Sequence, residues 1–375
     1  MNTKENEITI DSVNIQSTIF SDLYEDFKFT KPIRLIELFA GYGSQNLALK
    51  YLGANYESYK ICEWNYKSFH AYKHLHHKED TKDYSKDLTK EQLQDYIFNI
   101  GVSADWNKPL DRKKVELLSE EKLREIYNDI QATHNLVDVS RVHAKDLNIE
   151  REREREHNYL LTYSFPCQDL SLAGLRKGLQ KGSQTRSGLL WEVERILKEL
   201  TELKQRPDCL IMENVIQIHS QENLQDFMDW EYSLERMGYK NYCFDLSATE
   251  VNVPQTRVRC FMVSLLGEYN YNEPKRKPLK RTLKDLLEHN VSKKYYLSEK
   301  MIKGMLATSY ESYKLENKLI DKNGCANTII ARYDGSPQVI EDEELIGTYD
   351  FCKSDSFRHG GGTDSCKTKK PQTHC

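Results

Sequence analysis

Short apolar runs alternate with amphipathic segments along the chain up to about residue 270. Strands are predicted at IRLIEL (33–38), YKICEW (59–64), YLLTY (159–163), DCLIM (208–212), YKNYCFDL (239–246) and RCFMVSLL (259–266). Helical spacing marks NLALKYLG (46–53), which Gly53 closes, and SGLLWEVERILKELTELK (187–204). Strands that alternate with helices in this way predict an α/β fold with a doubly wound, mostly parallel sheet.

The second of these helices carries the clearest apolar face. Ser187 is a candidate N-terminal cap. The positions expected to face the core are Leu190, Val193, Leu197 and Leu200.

Two stretches interrupt this alternation. Residues 79–135 are charged and mostly helix-forming, which predicts a helical insertion. The segment ERERERE (150–156) alternates in charge sign and is expected to be a solvated helix or loop face. Beyond residue 270 the pattern loosens into basic, tyrosine-rich and glycine-containing segments, so a domain boundary is predicted there.

Composition narrows the class of protein. A chain of 375 residues with 38% hydrophobic and 30% charged residues can bury a large core and a smaller one. No signal peptide or membrane span is predicted. Nine cysteines without a CxxC pair favour reduced thiols. No metal site is predicted, because Cys352, Cys366, Cys375, His359 and His374 fit no compact ligand spacing.

The carboxyl ends of the first two predicted strands have the residues of an adenosine pocket, because ligands of open α/β sheets bind at that edge. Gly41 and Gly43 let backbone approach a ligand, although Asn46 breaks the full GxGxxG pattern. Glu63 is placed to bind a ribose diol, and Trp64 to stack on an adenine. A surface carboxylate and a core aromatic are the structural alternatives. Asp146, expected at another strand end, is a weaker candidate for the adenine amino group.

The later strand ends supply reactive groups. Cys167 lies in a stiff Pro-Cys-Gln turn after the 159–163 strand, and Glu213 follows the 208–212 strand. A half-buried carboxyl at such an edge tends to have a raised pKa and can donate a proton. Arg257 and Arg259 are expected to share one face of a strand and hold an oxygen, a phosphate or a carboxylate. Structural salt bridges are the alternative for this pair.

These motifs together resemble the cytosine-5 DNA methyltransferase family. The resemblance rests on FAGYGS, SFPCQDLS, ENV and QTRVR in the family's order, over residues 33 to 265. TRSGLLWEVERIL (185–197) is most similar to bacterial members, including CG-methylating mollicute enzymes. The resemblance implies a Rossmann-like S-adenosylmethionine domain at 31–270, an N-terminal extension at 1–30 and an incomplete target-recognition region at 271–375 with a poorly ordered tail.

The resemblance also implies roles for individual residues. Cys167 would add to carbon 6 of cytosine as the nucleophile, with Arg259 raising its thiolate fraction. Glu213 would hydrogen-bond or protonate ring nitrogen 3, and Arg257 would hold the exocyclic oxygen. The S-adenosylmethionine contacts implied are Phe39, Ala40, Gly41, Gly43, Glu63, Trp64, Asp146 and Pro166.

The implied partner is double-stranded DNA, from which the target cytosine must be flipped out. The segment LAGLRKGLQKGSQTRSG (172–188) has the composition of a mobile DNA-contacting loop, or of a plain surface loop. The implied DNA contacts are Gln168, Ser171, Arg176, Lys177 and Arg186. A basic segment at 274–287 is either a phosphate-contacting surface or a solvated loop.

One departure from the family keeps alternatives open. The family's closing Gly-Asn-Ser turn and final helix are not found after GCANTIIARYDGSPQVI (324–340), which puts activity in doubt. An inactive DNA-binding relic therefore remains an alternative, and a related cytosine-5 methyltransferase that acts on tRNA is a second. A nicotinamide oxidoreductase would leave Cys167 and Glu213 without a role. We expect a cytoplasmic, prokaryotic or phage-encoded monomer that works beside a cognate restriction endonuclease.

Overall fold

The chain divides into two compact units. The computed structural model describes residues 24–166, 187–288, 291–292, 296–307, 309, 319–328, 339–341 and 346–348. The first unit comprises Met1–Asp245 and Cys260–Glu273, and the second comprises Leu246–Arg259 and Pro274–Cys375. None of the helices in these described ranges is long and apolar enough to cross a membrane.

A six-stranded sheet, counted over the described residues, forms the centre of the first unit. Its strands are β1 (Ile33–Leu38), β2 (Tyr56–Cys62), β3 (Asn158–Tyr163), β4 (Cys209–Asn214), β5 (Tyr239–Ser247) and β7 (Val258–Leu266). Their order is β2-β1-β3-β4-β7-β5. β1 runs parallel to β2 and to β3, β3 runs parallel to β4, and β4 pairs with β7 in the antiparallel direction. The prediction of a doubly wound, mostly parallel sheet is confirmed.

Helices connect these strands. They are α1 (Ser44–Tyr51), α2 (Tyr66–His76), α3 (Lys90–Ile100), α4 (Arg112–Glu116), α5 (Glu120–Ala132), α6 (Ala144–Leu147), α7 (Leu190–Leu203) and α8 (Leu224–Arg236). Helices α3, α4 and α5 lie within the predicted insertion. Each begins at a side-chain cap, respectively Thr89, Asp111 and Ser119, which satisfies backbone N–H groups of the first turn.

The core contains the residues that the apolar pattern singled out. Every residue of β3 is buried, as expected for a central strand covered on both faces. The predicted face of α7 is buried at Leu190, Val193, Leu197 and Leu200. The predicted cap is wrong, since Ser187 begins a 3-10 turn (Ser187–Leu189) and the N-cap residue of α7, Leu189, makes no side-chain cap hydrogen bond.

The segment 150–156 is not simply a solvated face. The side chain of Arg155 is 4% exposed and pairs with Asp208 at 2.8 Å. Glu152 binds the guanidinium of Arg206 through both carboxylate oxygens, at 2.8 and 2.9 Å. These ion pairs connect the segment just before β3 to the segment just before β4. The charge alternation could not reveal this, because both partners lie about 50 residues further along the chain.

The residues just before β1 also belong to the packed unit. The backbone N–H of Phe27 donates to the carbonyl of Asn270 at 3.2 Å. Its ring packs edge-on against Tyr269 and Phe29, with centroid distances of 5.3 and 5.0 Å. The end of the predicted N-terminal extension is therefore part of the hydrophobic core.

The second unit has short elements. Strand β6 (Gln255–Thr256) pairs in parallel with β9 (Ala326–Asn327), and β10 (Val339–Glu341) pairs with β8 (Leu319–Ile320) and β11 (Ile346–Thr348). Helix α9 spans Glu299–Ala307. Residues 275–281 of the basic segment are all exposed and have no regular secondary structure, which agrees with either interpretation of that segment.

Candidate functional site

β1, β2 and β3 end level at one edge of the sheet, and β4 continues past that level to Asn214. In the pairing register Leu38 lies opposite both Cys62 and Tyr163, and Tyr163 lies opposite Met212. The next residues along the chain therefore come to the same edge, in the spatial order Glu63, Phe39, Ser164 and Glu213. Neighbouring strands are about 4.8 Å apart. The chain reverses its direction across the sheet between β1 and β3, and that is where ligands of open α/β sheets bind.

The turn after β1 has a left-handed backbone. The φ angles of Phe39, Gly41 and Gly43 are 58°, 56° and 82°. A positive φ strains the backbone of Phe39, whereas glycine has no Cβ atom and adopts such angles without strain. The N–H of Gly43 donates to the carbonyl of Ala40 at 2.9 Å, and the N–H of Ala40 donates to the carbonyl of Cys62 at 3.2 Å. These bonds fix the turn against the end of β2.

The two glycines of this turn have different surroundings. A Cβ atom added at Gly41 would meet nothing within 4 Å, so this glycine borders open space. A Cβ atom added at Gly43 would lie 2.5 Å from Cε2 of Tyr72 and would also collide with the ring of His76. Gly41 thus fits the predicted close approach to a ligand, whereas packing against α2 is sufficient to explain Gly43.

Alanine substitutions should separate these two roles. Gly41→Ala is expected to cost about 1 kcal/mol of unfolding free energy, because only the positive φ is penalised. Gly43→Ala is expected to cost about 2–4 kcal/mol, because a buried, hydrogen-bonded Tyr72 must also shift. Urea unfolding of both variants measures the difference. Equal losses would contradict the packing role of Gly43.

Glu63 follows β2 and is buried against the glycine turn. Its Oε2 accepts from the N–H of Gly41 at 3.0 Å, and its Oε1 accepts from the N–H of Asn65 at 2.8 Å. Burial raises the pKa of Glu63 to about 7, while these two hydrogen bonds oppose the rise. Each oxygen keeps a second lone pair that could accept from a ribose hydroxyl. The backbone of Glu63 is held by the side chain of Asn135, which the sequence pattern did not single out.

Trp64 and Asp146 differ in how well they match their predicted positions. Trp64 is half-buried and packs against the core cluster that contains Ile61 and Phe69. Asp146 does not end a strand, because it lies in the single helical turn α6 and its carboxylate accepts from the N–H of His143 at 2.9 Å. The strand prediction is wrong here since an Asp at the third position of a helix caps its first turn.

A buried acid lies beneath the glycine turn and was missed in the sequence. Glu37 accepts a 2.5 Å hydrogen bond from the hydroxyl of Tyr72 and a 3.3 Å bond from the N–H of Asn46. Burial raises the pKa of Glu37 to about 7. The available signal was an acidic residue between Ile36 and Leu38 in the otherwise apolar end of IRLIEL.

The raised pKa of Glu37 has a consequence for stability. Between pH 4.5 and 7, Glu37 ionises in the unfolded chain but keeps its proton in the folded chain. The free energy of unfolding therefore falls by up to about 3 kcal/mol as the pH rises over this range. Glu37→Gln cannot ionise and should escape this loss. We expect the unfolding free energy of the variant minus that of the wild type to grow by about 2–3 kcal/mol over this range. If chemical denaturation shows the same pH dependence of the unfolding free energy for Glu37→Gln and the wild type, the raised pKa of Glu37 is contradicted.

The ends of β3 and β4 are tied together. The side-chain amide of Asn214 donates to the carbonyl of Phe165 at 3.1 Å, and its Oδ1 accepts from the N–H of Val215 at 2.8 Å. Phe165 precedes Pro166, and Asn214 follows the half-buried Glu213. Asn214 therefore holds the chain directly before Cys167 next to the strand that carries Glu213. Cys167 itself lies outside the described residues.

The two arginines belong to the second unit. Arg257 lies between β6 and β7, and Arg259 lies within β7, so one continuous strand does not hold both. Both are half-buried while Val258 between them is exposed. The guanidinium of Arg259 donates to the carbonyl of Val258 at 2.7 Å. The predicted DNA contacts Gln168, Ser171, Arg176, Lys177 and Arg186 lie outside the described residues.

Comparison with known proteins assigns the family. A family model described as C-5 cytosine-specific DNA methylase matches residues 114–364. The chain belongs to the C-5 cytosine-specific DNA methylase family. Members of this family are enzymes that methylate DNA cytosine, and the methyltransferase class implies S-adenosylmethionine as the methyl donor. The glycine turn and Glu63 precede the matched range.

Individual methylases are also similar to this chain. It is 35% identical over 274 residues to the orphan methyltransferase M.SssI of Spiroplasma monobiae, covering 72% of this chain and 68% of that protein. It is 33% identical over 272 residues to a type II methyltransferase of Lactococcus lactis subsp. cremoris, covering 72% and 71%. A solved methyltransferase of Entamoeba histolytica covers 83% of this chain and 76% of its own, with a TM-score of 0.50 and 14% identity. That structural likeness supports the methyltransferase fold alone.

Proposed function

We propose that this chain transfers a methyl group from S-adenosylmethionine to carbon 5 of a cytosine flipped out of duplex DNA, through a covalent adduct on Cys167. The observation that carries the proposal is the arrangement at one edge of the sheet. There Asn214, next to Glu213, binds the carbonyl of Phe165, two residues before Cys167 in the sequence, and the glycine turn lies at the same edge. A nucleophile, an acid and space for a cofactor at one edge are the parts that this reaction needs.

The reaction divides between Cys167 and Glu213. The Cys167 thiolate forms a bond to carbon 6, while Glu213 hydrogen-bonds or protonates ring nitrogen 3 and so stabilises the charge that develops. Carbon 5, now enamine-like, forms the bond to the methyl group as the bond between that methyl group and the sulfonium sulfur breaks, which leaves the thioether S-adenosylhomocysteine. A base, for which water suffices, then removes the carbon 5 proton, the bond between sulfur and carbon 6 breaks, and Cys167 is released.

The residues at the other end of the edge suit the proposed cofactor. S-adenosylmethionine supplies an electrophilic methyl group and an adenosine that needs a polar, open cradle. Gly41 borders open space, and the oxygens of Glu63 have capacity for ribose hydroxyls. Phe39, Ala40, Trp64 and Pro166 are proposed as the surrounding contacts, and Asp146 as a polar contact from its helical turn.

Binding of DNA is proposed for the segment after Cys167 and for the second unit. Gln168, Ser171, Arg176, Lys177 and Arg186 supply polar and cationic groups suited to phosphate and base contacts. Arg257 would hold the exocyclic oxygen, and Arg259 would favour the thiolate of Cys167. We further propose a monomer that acts in a bacterial or phage-infected cytoplasm alongside a cognate restriction endonuclease.

Methyl transfer from labelled S-adenosylmethionine tests the proposed substrate. The full chain should label duplex DNA and leave tRNA unlabelled. Label only in tRNA would assign the tRNA alternative instead. Binding of duplex DNA without transfer to either substrate would identify the inactive relic. Bisulfite sequencing of plasmid from expressing cells would then show the methylated sequence.

A further inference from the structure

Two thiols and an imidazole converge beyond the end of β4. Cys243 lies on β5, Cys260 lies on the neighbouring β7, and His219 ends the 3-10 turn (Ile216–His219) that follows β4. The two Sγ atoms are 3.4 Å apart. The donor atoms of all three side chains lie within 4.8 Å of one another. The carboxylate of Asp245 adds an anionic oxygen 3.3 Å from Nε2 of His219.

We propose that Cys243, Cys260 and His219 bind one zinc-like divalent cation. Tetrahedral zinc with bonds of about 2.3 Å to sulfur and about 2.0 Å to nitrogen places its two sulfurs about 3.8 Å apart and each sulfur about 3.5 Å from the nitrogen. The two sulfurs, 3.4 Å apart, are within about 0.4 Å of this separation, and no donor atoms are more than 4.8 Å apart, so side-chain rotations can bring all three onto one ion. Three protein ligands leave the fourth position to water, with Asp245 beside it.

The two sulfurs and the imidazole nitrogen indicate which type of metal the site would prefer. Thiolate and imidazole ligands favour zinc over magnesium or calcium, which prefer oxygen ligands. Both thiols lose their protons to solvent on binding, and two thiolates balance the charge of a divalent cation. A metal cluster without net charge suits this location, because Cys260 is fully buried and an uncompensated charge there would be unfavourable. Cys243, on the other side of the cluster, is exposed.

A disulfide between Cys243 and Cys260 would explain why the two thiols are close, but not why His219 lies beside them. The sulfurs would have to approach from 3.4 Å to about 2.05 Å, and bond formation would release two electrons to an oxidant. His219 would then take no part in the bond between the two sulfurs and would keep only its contact with Asp245. A disulfide therefore uses two of the three converging side chains, whereas a cation uses all of them.

A second cluster of possible ligands, formed by His70, Glu125 and Asp129, does not compete as a zinc site. It has no thiol. Its Glu125 already pairs with the ammonium of Lys122, and His70 pairs with both carboxylates. These ion pairs are sufficient to explain the cluster as a contact between α2 and α5.

The proposed ion would stabilise the strand that carries the acid of the site. Cys260 lies opposite Asn214 in the pairing of β7 with β4, and Glu213 precedes Asn214. His219 comes from the turn directly after β4. An ion bound to both would therefore fix the end of β4 from the strand beside it and from the chain after it.

Cobalt substitution tests this site on the full chain. Protein kept reduced and stripped with a chelator is titrated with Co²⁺ alone. We expect one equivalent to produce a thiolate-to-cobalt charge-transfer band that Zn²⁺ abolishes. Cys243→Ser should lose the band, and this exposed position should tolerate the substitution, as circular dichroism can verify. Cys325→Ser, which changes a cysteine of the second unit, is the matched control and should keep it.

The contrary results are equally definite. Absence of the band, or a band of unchanged strength in Cys243→Ser, overturns the proposal. So does a Cys243–Cys260 disulfide found by mass spectrometry in protein purified under reducing conditions. Methyl transfer is not measured in any of these assays, so failure of the metal site would leave the proposed function intact.

Discussion

Replacing Cys167 by serine is expected to abolish methyl transfer while duplex DNA still binds within a few-fold of wild type. A hydroxyl at this position is a far weaker nucleophile than a thiolate, so addition to carbon 6 fails even though the shape of the side chain is kept. We expect turnover to fall by on the order of 10⁴-fold or more. Labelled methyl transfer measures turnover, and a gel-shift titration measures DNA binding.

A control isolates the effect of that thiol. Cys62→Ser changes a buried cysteine of β2, at the same edge of the sheet but outside the proposed chemistry. It should keep turnover per folded molecule even if stability decreases. Methylation retained by Cys167→Ser would refute the nucleophile assignment.

The second large effect is expected for Glu213→Gln. Glutamine preserves the size of the side chain and can donate a hydrogen bond to nitrogen 3, but it cannot transfer a proton there. Adduct formation should slow by about 100-fold or more, the usual contribution of a general acid. S-adenosylmethionine affinity should change little, because Glu213 lies three strands away from Glu63 in the sheet order.

Single-turnover kinetics and calorimetry measure the two quantities separately. An unchanged adduct rate would contradict the proton-donor role. A large loss of cofactor affinity at unchanged rate would instead place Glu213 in the cofactor site. Glu63→Gln provides the matched comparison, since the proposal expects it to weaken cofactor binding first.

The sheet was predictable because its strands have strong local patterns. β3 is apolar and buried along its whole length, and its predicted range differs from the observed Asn158–Tyr163 by one residue. The predicted range of β2, 59–64, begins too far along the chain, because this edge strand starts at Tyr56. Its first residues include polar Glu57 and Ser58, which a search for apolar runs does not detect. β1, β2 and β3 end in register because they pair in parallel, and Phe39, Glu63 and Glu213 therefore lie at one edge of the sheet.

Interactions between distant residues were not predictable from local pattern. Asn214 holds the carbonyl of Phe165, 49 residues earlier, and the hydroxyl of Tyr72 binds Glu37, 35 residues earlier. The charge of buried Arg155 is paired with Asp208, 53 residues later in the chain. In each case one partner is an ordinary polar residue in the sequence, and its role depends on which strand lies beside it.

Trapping with 5-fluorocytosine tests the central chemical claim most directly. Fluorine at carbon 5 cannot leave as a proton does, so methylation should stop at the stage in which Cys167 is still bonded to carbon 6. With such duplex DNA and S-adenosylmethionine, the account predicts a stable covalent complex whose DNA-linked peptide contains Cys167. An adduct mapped to any other residue, or methylation of unmodified DNA with no trapped complex, would contradict it.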